Sequence, residues 1–451
     1  MAEKIEHIGK REIAWSYAGT FFTIGAGVIL LPFMLHKLPS ETIGIWTIFQ
    51  TISSLVFMLD LGFKPSFARN LSYIFSGVKS LQKEGISDSE DITEVDYSLL
   101  KGTLRAMQLF YRWIAVIVLI LLISFGSLYV YYLLGKYSGD RWDIIMAWIL
   151  LVGINGYSIY TMYYESLLTG KGYIKEAQQI NMLGQFLYLV LAIVLVLCGF
   201  GLTAIIASQL ISIIIRRILS YRVFFTSDIK AKLAHSASQN PKHILRAIYP
   251  NAIKSGLTSV GGFLVNKSSI LLCSIFLPLP ATASLGITLQ IMEILSRCGI
   301  VVYTSTLPKI AQYRVERNIP ALKRLYLYSV YSLIAVFIAG GAATVLLGNP
   351  ALEWLHSETL LLPASMLCVM ILIFFLEQNH VIAAGYIMAD NRIPFFIPSL
   401  VSGAAAVVLM LLFMGVWHWG LWGAIMAPGI AQLAYQNWKW PSVIIKEFWG
   451  K

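Results

Sequence analysis

The chain has 451 residues, of which 57% are hydrophobic and only 13% charged, and its mean hydropathy is +0.72. Soluble domains carry about a quarter charged residues, so the composition excludes a string of soluble domains and points to an integral membrane protein. The net charge of +11 does not indicate nucleic acid, because the cations sit in short stretches between apolar runs rather than on one polar face.

About 20 apolar residues suffice for a helix to cross the hydrocarbon. Twelve such runs are predicted, at 12–35, 43–66, 108–134, 143–168, 180–199, 202–221, 247–276, 282–307, 324–347, 359–387, 394–416 and 420–438. Barrel strands would be about 9–11 residues long and alternating, so the fold class is all-α. The pairs at 180–221 and 394–438 are joined by Gly199-Phe200-Gly201 and Trp417-His418-Trp419-Gly420, and read as tight helical hairpins.

An even number of spans puts both termini on one side. Placing them in the cytoplasm puts most of the 34 Lys and Arg residues in cytoplasmic loops, as the positive-inside rule requires. The cluster Arg216, Arg217, Arg222, Lys230, Lys232, Lys242 and Arg246 reads as an orientation signal in contact with anionic lipid. Between the second and third spans, Glu84, Asp88, Glu90, Asp91, Glu94 and Asp96 form an acidic loop, followed by an amphipathic stretch from Tyr97 to Phe110. The expectation there is a solvated loop and an interfacial helix, with docking of a partner enzyme as the alternative. The first apolar run is too long for a cleavable signal. Cys198, Cys273, Cys298 and Cys368 lie in spans without metal or disulfide spacing and read as small packing residues. No metal site, phosphate loop or dinucleotide fingerprint is present.

The chain repeats itself. Gly172-Tyr173-Ile174 followed by Gly201-Leu202-Thr203-Ala204 has a counterpart in Gly385-Tyr386-Ile387 followed by Gly420-Leu421-Trp422-Gly423-Ala424. A weaker match relates Leu38-Pro39, Gly44-Ile45 and Gln50 to Leu279-Pro280, Gly286-Ile287 and Gln290. The domains expected are therefore an N-terminal six-helix lobe over 1–225, a polar cytoplasmic linker over 226–245 and a C-terminal six-helix lobe over 246–451. Six spans per half give a parallel repeat, an arrangement in which substrate binds between the halves and moves by alternating access.

Charges inside spans are costly, about 2.5–3.5 kcal/mol each on insertion scales, and mark candidate functional residues. On the second span Gln50, Ser53, Ser54, Asp60 and Lys64 share a face, with Asp60 and Lys64 spaced to pair. On the seventh, Asn251, Lys254, Ser255, Thr258, Gly262 and Asn266 share one; Lys267 joins them only if Gly261-Gly262 bends the helix. Gln290, Glu293 and Arg297 line up on the eighth, with Glu293 and Arg297 four apart. Glu165 precedes Gly172 on the fourth span much as Glu377 precedes Gly385 on the tenth. Lys254, Arg297, Lys64, Lys267, Asn251 and Gln290 are the expected substrate-binding residues, and Glu165, Glu377, Asp60 and Glu293 the expected coupling or gating residues; for Glu165 and Glu377 the readings are a structural or gating role and, as the alternative, proton or sodium coupling. The alternative for the paired charges is to fix helix register. His380 reads as a hydrogen-bonded packing residue.

Leu59-Asp60-Leu61-Gly62-Phe63 and Ala68-Arg69, with twelve spans in a six-plus-six repeat, resemble the O-antigen type flippases of the multidrug/oligosaccharidyl-lipid/polysaccharide (MOP) superfamily. That resemblance covers essentially the whole chain. It implies two six-helix lobes in a V and a non-enzymatic role in polysaccharide or lipopolysaccharide biosynthesis. The cargo would be a polyprenyl-diphosphate-linked oligosaccharide, moved from the inner to the outer leaflet of the bacterial inner membrane. It adds Arg69 to the gating residues. Membrane lipids and polysaccharide-assembly enzymes are the implied partners, with no cofactor. The chain lacks the two extra C-terminal spans of peptidoglycan-precursor flippases and an arginine in the first span. The alternatives are a cation exporter of the same superfamily, which wants unpaired carboxylates in its cavity, and a membrane-embedded polymerase or acyltransferase.

Overall fold

The computed structural model describes residues 10–75, 77, 95–389 and 394–449, and every regular element among them is a helix. The first half holds α1 (Lys10–Lys37), α2 (Ser40–Met58), α3 (Phe63–Phe75), α4 (Tyr97–Leu121), α5 (Ser127–Leu134), α6 (Arg141–Tyr160), α7 (Tyr163–Lys171), α8 (Ile174–Leu197) and α9 (Leu202–Phe224). The connecting helix α10 (Ser227–His235) is followed by α11 (Pro241–Asn266), α12 (Ser268–Phe276), α13 (Leu279–Gly299), α14 (Val301–Val315) and α15 (Ile319–Trp354). The last four are α16 (Ala364–Met388), α17 (Phe396–Met410), α18 (Leu421–Leu433) and α19 (Gln436–Trp449). Among the described residues nine helical runs are long and apolar enough to cross a membrane, or ten when α2 and α3, bent by 45°, form one broken span. The protein is an all-α, multi-span membrane protein.

The span predicted over 420–438 is not one helix. It breaks after Leu433 into α18 and α19, where Tyr435, Asn437 and Lys439 interrupt the apolar run and Trp440, Ile444 and Phe448 bury one side of α19.

The chain forms two compact units, Met1–Met34 with Ile52–Gly256, and Leu35–Thr51 with Leu257–Lys451. In the first unit α8 and α9 form the expected hairpin. Gly199, at φ +91°, ends α8 in the left-handed conformation open to glycine, and the Phe200 amide donates back to Leu195 O at 3.2 Å. Asp143 on α6 accepts from the Leu202 and Thr203 amides at 2.6 and 2.9 Å, capping α9. The segment expected to link two lobes is structured: Thr226 caps α10, and Lys101 donates to Ser236 O at 2.7 Å, so these residues belong to the first unit. Asp96 caps α4 through the Ser98 and Leu99 amides; Glu84, Asp88, Glu90, Asp91 and Glu94 lie outside the described residues.

In the second unit the start of α2 crosses α13 at paired glycines. A methyl on Gly44 would meet the Leu279 carbonyl, and one on Gly286 would meet the Thr47 side chain. The weaker repeat match thus falls on two helix starts that touch. The stronger match is less regular. Gly172 (φ +89°) ends α7, whereas Gly385 lies within α16, buried against the Tyr303 ring. Of the cysteines only Cys273 is buried, accepting from the Thr282 hydroxyl; Cys198, Cys298 and Cys368 are exposed on the protein surface rather than packed.

Candidate functional site

The second span breaks where the family-like Leu59-Asp60-Leu61-Gly62-Phe63 stretch lies. Leu61 and Gly62 take φ of +49° and +73°, and α3 starts afresh at Phe63. The buried Asp60 carboxylate faces this new N-terminus: both oxygens accept from the Lys64 amide, at 3.1 and 3.0 Å, and Oδ1 also accepts from the Tyr111 hydroxyl at 2.8 Å. A carboxylate at a helix start satisfies free amides and the helix dipole. The expected Asp60–Lys64 side-chain pair is absent, because four-residue spacing brings side chains together only on an unbroken helix.

Lys64 reaches Glu165 on α7 instead. Its Nζ donates to Glu165 Oε2, and Arg217 Nη1 on α9 lies 2.9 Å from Oε1. The Glu165 carboxylate is thus held between two cations from two other helices. Arg216 precedes Arg217 on α9, with its stem against Gly184 on α8. Both arginines were expected in a cytoplasmic cluster in contact with anionic lipid; Arg217 is buried and belongs to this site. Nothing in the sequence tied it to Glu165, since the partner lies on another helix.

The second unit holds a different arrangement. The helix breaks at Lys267, not at Gly261-Gly262: α11 runs unbroken to Asn266 and α12 begins at Ser268. At this break Lys267 Nζ donates to Glu293 Oε1, so Glu293 pairs with Lys267 and not with Arg297. Arg297 is exposed in the last turn of α13 and has no ion pair among the described residues. Glu377 on α16 is buried, and its Oε1 accepts from Asn266 Nδ2 at 2.7 Å. Both residues line a cavity with Ser269, Phe374, Pro428 and Gln432, and Gln432 Oε1 is buried there without a hydrogen-bond partner among the described residues. Nearby, His380 Nδ1 donates to Asn437 Oδ1 at 2.9 Å, the packing role expected of it.

Of the remaining predicted residues, Gln290 is half-buried on α13 and Arg69 is exposed on α3. The side chains of Asn251 and Lys254, on α11, lie outside the described ones. Among the described residues no cluster of His, Cys, Asp or Glu is suited to hold a metal ion.

The backbone is similar to solved transporters. It superposes on an inward-facing multidrug resistance MATE family transporter of the MOP superfamily with a TM-score of 0.60 and 17% identity, covering 96% of this chain and 93% of that one. Lipid II flippase MurJ in its inward closed conformation gives 0.62 and 16% identity over 96% and 87% of the two chains. A MOP superfamily transporter from Pyrococcus furiosus, described as having a binding pocket of reverse polarity, gives 0.55 and 16% over 98% and 95%. The chain therefore has the fold of these MOP superfamily transporters. By sequence, no family model and no curated protein matches it.

Proposed function

We propose that this protein moves a polyprenyl-diphosphate-linked oligosaccharide, such as an O-antigen or capsule repeat unit, from the inner to the outer leaflet of the bacterial cytoplasmic membrane. The observation that carries this reading is the cation excess around Glu165: Lys64 and Arg217 both pair with one carboxylate, while Asp60 is already occupied by Tyr111 and the start of α3. A diphosphate cannot enter hydrocarbon unaided, and an arginine fork beside a lysine point charge suits its oxygens. In this reading Lys64 and Arg217 contact the head group in the first unit, where Lys254 and Asn251 are further contacts; in the second unit Arg297, Lys267 and Gln290 are proposed to contact cargo. Glu377 takes up the coupling proton or sodium ion, Arg69 gates, Asp60 shapes the broken span, and Glu293 holds Lys267.

A second reading, a multidrug or cation exporter, draws support from Glu377, a buried carboxylate that faces an amide and, among the described residues, no cation. Reconstituted vesicles distinguish the two. A fluorescent polyprenyl-diphosphate saccharide is expected to exchange leaflets only when the protein is present. Protein-dependent efflux of a cationic dye without movement of the lipid would support the exporter instead.

A further inference from the structure

The Glu165 site contains more hydrogen-bonding capacity than its carboxylate uses. Glu165 has committed Oε2 to Lys64 and Oε1 to Arg217 Nη1. The Nε groups of Arg216 and Arg217 are nevertheless buried with no hydrogen-bond partner among the described residues. A buried donor left unpaired costs about 1–3 kcal/mol, and more when charged. The Arg217 side chain is only 10% exposed, whereas Lys64 and Glu165 are 42% and 33% exposed. The guanidinium is therefore fixed in the protein, while the acid and the lysine face an approach open to a ligand. The Arg216 stem lies against Gly184 on α8, where any added Cβ would collide with it, so that arginine is also held in place by packing.

We infer that Glu165 is a built-in stand-in for a phosphate group: it occupies Lys64 and Arg217 while the site is empty, and the diphosphate of the cargo takes its place on these same cations. This inference rests on the proposed function and assigns the subsite that reads the head group. A carboxylate offers two oxygens to the cluster. A diphosphate offers more oxygens and more charge, enough to keep both Lys64 and Arg217 bonded with acceptors to spare. Exchange requires the Glu165 side chain to swing away from its partners on α3 and α9, with no helix rearranged. The internal acid makes empty-state binding weak. It also gives the cations a partner once cargo has left, which favours release.

Two consequences are measurable on the purified full-length protein, with ligand-induced thermal stabilisation as the readout. Removing an internal competitor raises the fraction of sites competent to bind, and at a competent fraction of about one in ten the gain is about tenfold. Glu165→Gln is therefore expected to bind inorganic diphosphate and farnesyl diphosphate about tenfold more tightly than the wild type. Glu165→Asp, which keeps the charge and guards against misfolding as an explanation, is expected to stay near the wild type. Adding Lys64→Ala to Glu165→Gln is expected to remove the gain. Unchanged or weaker binding by Glu165→Gln, with wild-type vesicles still moving the lipid-linked saccharide, would overturn the stand-in and leave the transport reading intact. If neither protein bound either diphosphate and no lipid moved, both would fall together. Tightening toward the inorganic ion but not the farnesyl ester would overturn a lipid-linked ligand at this subsite.

Discussion

Replacing Arg217 with alanine is expected to destabilise the protein and to abolish lipid movement. Arg217 is 9% exposed and bonded at 2.9 Å to a carboxylate that has Lys64 as its other partner. Removing one partner of a buried ion pair costs about 3–5 kcal/mol, because the remaining charge is left uncompensated. Lys64 still neutralises part of Glu165 and one side of the site is open, so a loss of about 2–3 kcal/mol is expected here. A double substitution separates the two effects. Arg217→Ala with Glu165→Gln leaves no stranded carboxylate, so its thermal midpoint in detergent is expected to recover most of the loss. Transport is expected to stay at least tenfold below wild type, because the fork proposed to meet the diphosphate is gone. Recovery of transport along with stability would show that Arg217 acts only by holding α9 to α7.

Glu377→Gln is expected to disconnect transport from an imposed ion gradient. The wild-type carboxylate lies buried with Asn266 as its bonded partner and Gln432 Oε1 nearby without one among the described residues. A buried carboxylate with no cation beside it is expensive unless a proton or a bound cation neutralises it. An amide keeps the shape and can still accept from Asn266, so the fold is expected to survive. Vesicles carrying this variant are expected to move the lipid at the unstimulated rate whether or not a proton or sodium gradient is applied. Retained stimulation would assign coupling to another group.

The broad architecture was legible because hydropathy and length alone specify apolar helices, and because glycine at positive φ marks the α8–α9 turn at Gly199. The charge partners were less so, for two physical reasons. Pairing by four-residue spacing presumes a continuous helix, and the helices break close to where the charges lie: at Leu59–Gly62 beside Lys64, and at Lys267 itself. Asp60 then serves the new helix start, and Lys64 and Lys267 turn to acids on other helices. Arg217 was hidden for the second reason. Adjacent to Arg216 and close to Arg222, it had the sequence context of a cytoplasmic basic cluster, and only the packing of α7 against α9 brings it to Glu165. Gly385 shows that a local sequence match can persist where the backbone differs, since it is helical while Gly172 is a left-handed cap.

The sign of the response to membrane potential tests most directly whether the cargo is anionic. Each elementary charge crossing a potential of 100 mV gains or loses about 2.3 kcal/mol. Vesicles with the cytoplasmic face of the protein inward and an imposed inside-negative potential are expected to move the diphosphate-linked saccharide outward faster than vesicles without a potential, and slower when the potential is reversed. Outward movement slowed by an inside-negative potential would contradict net outward movement of negative charge with the cargo.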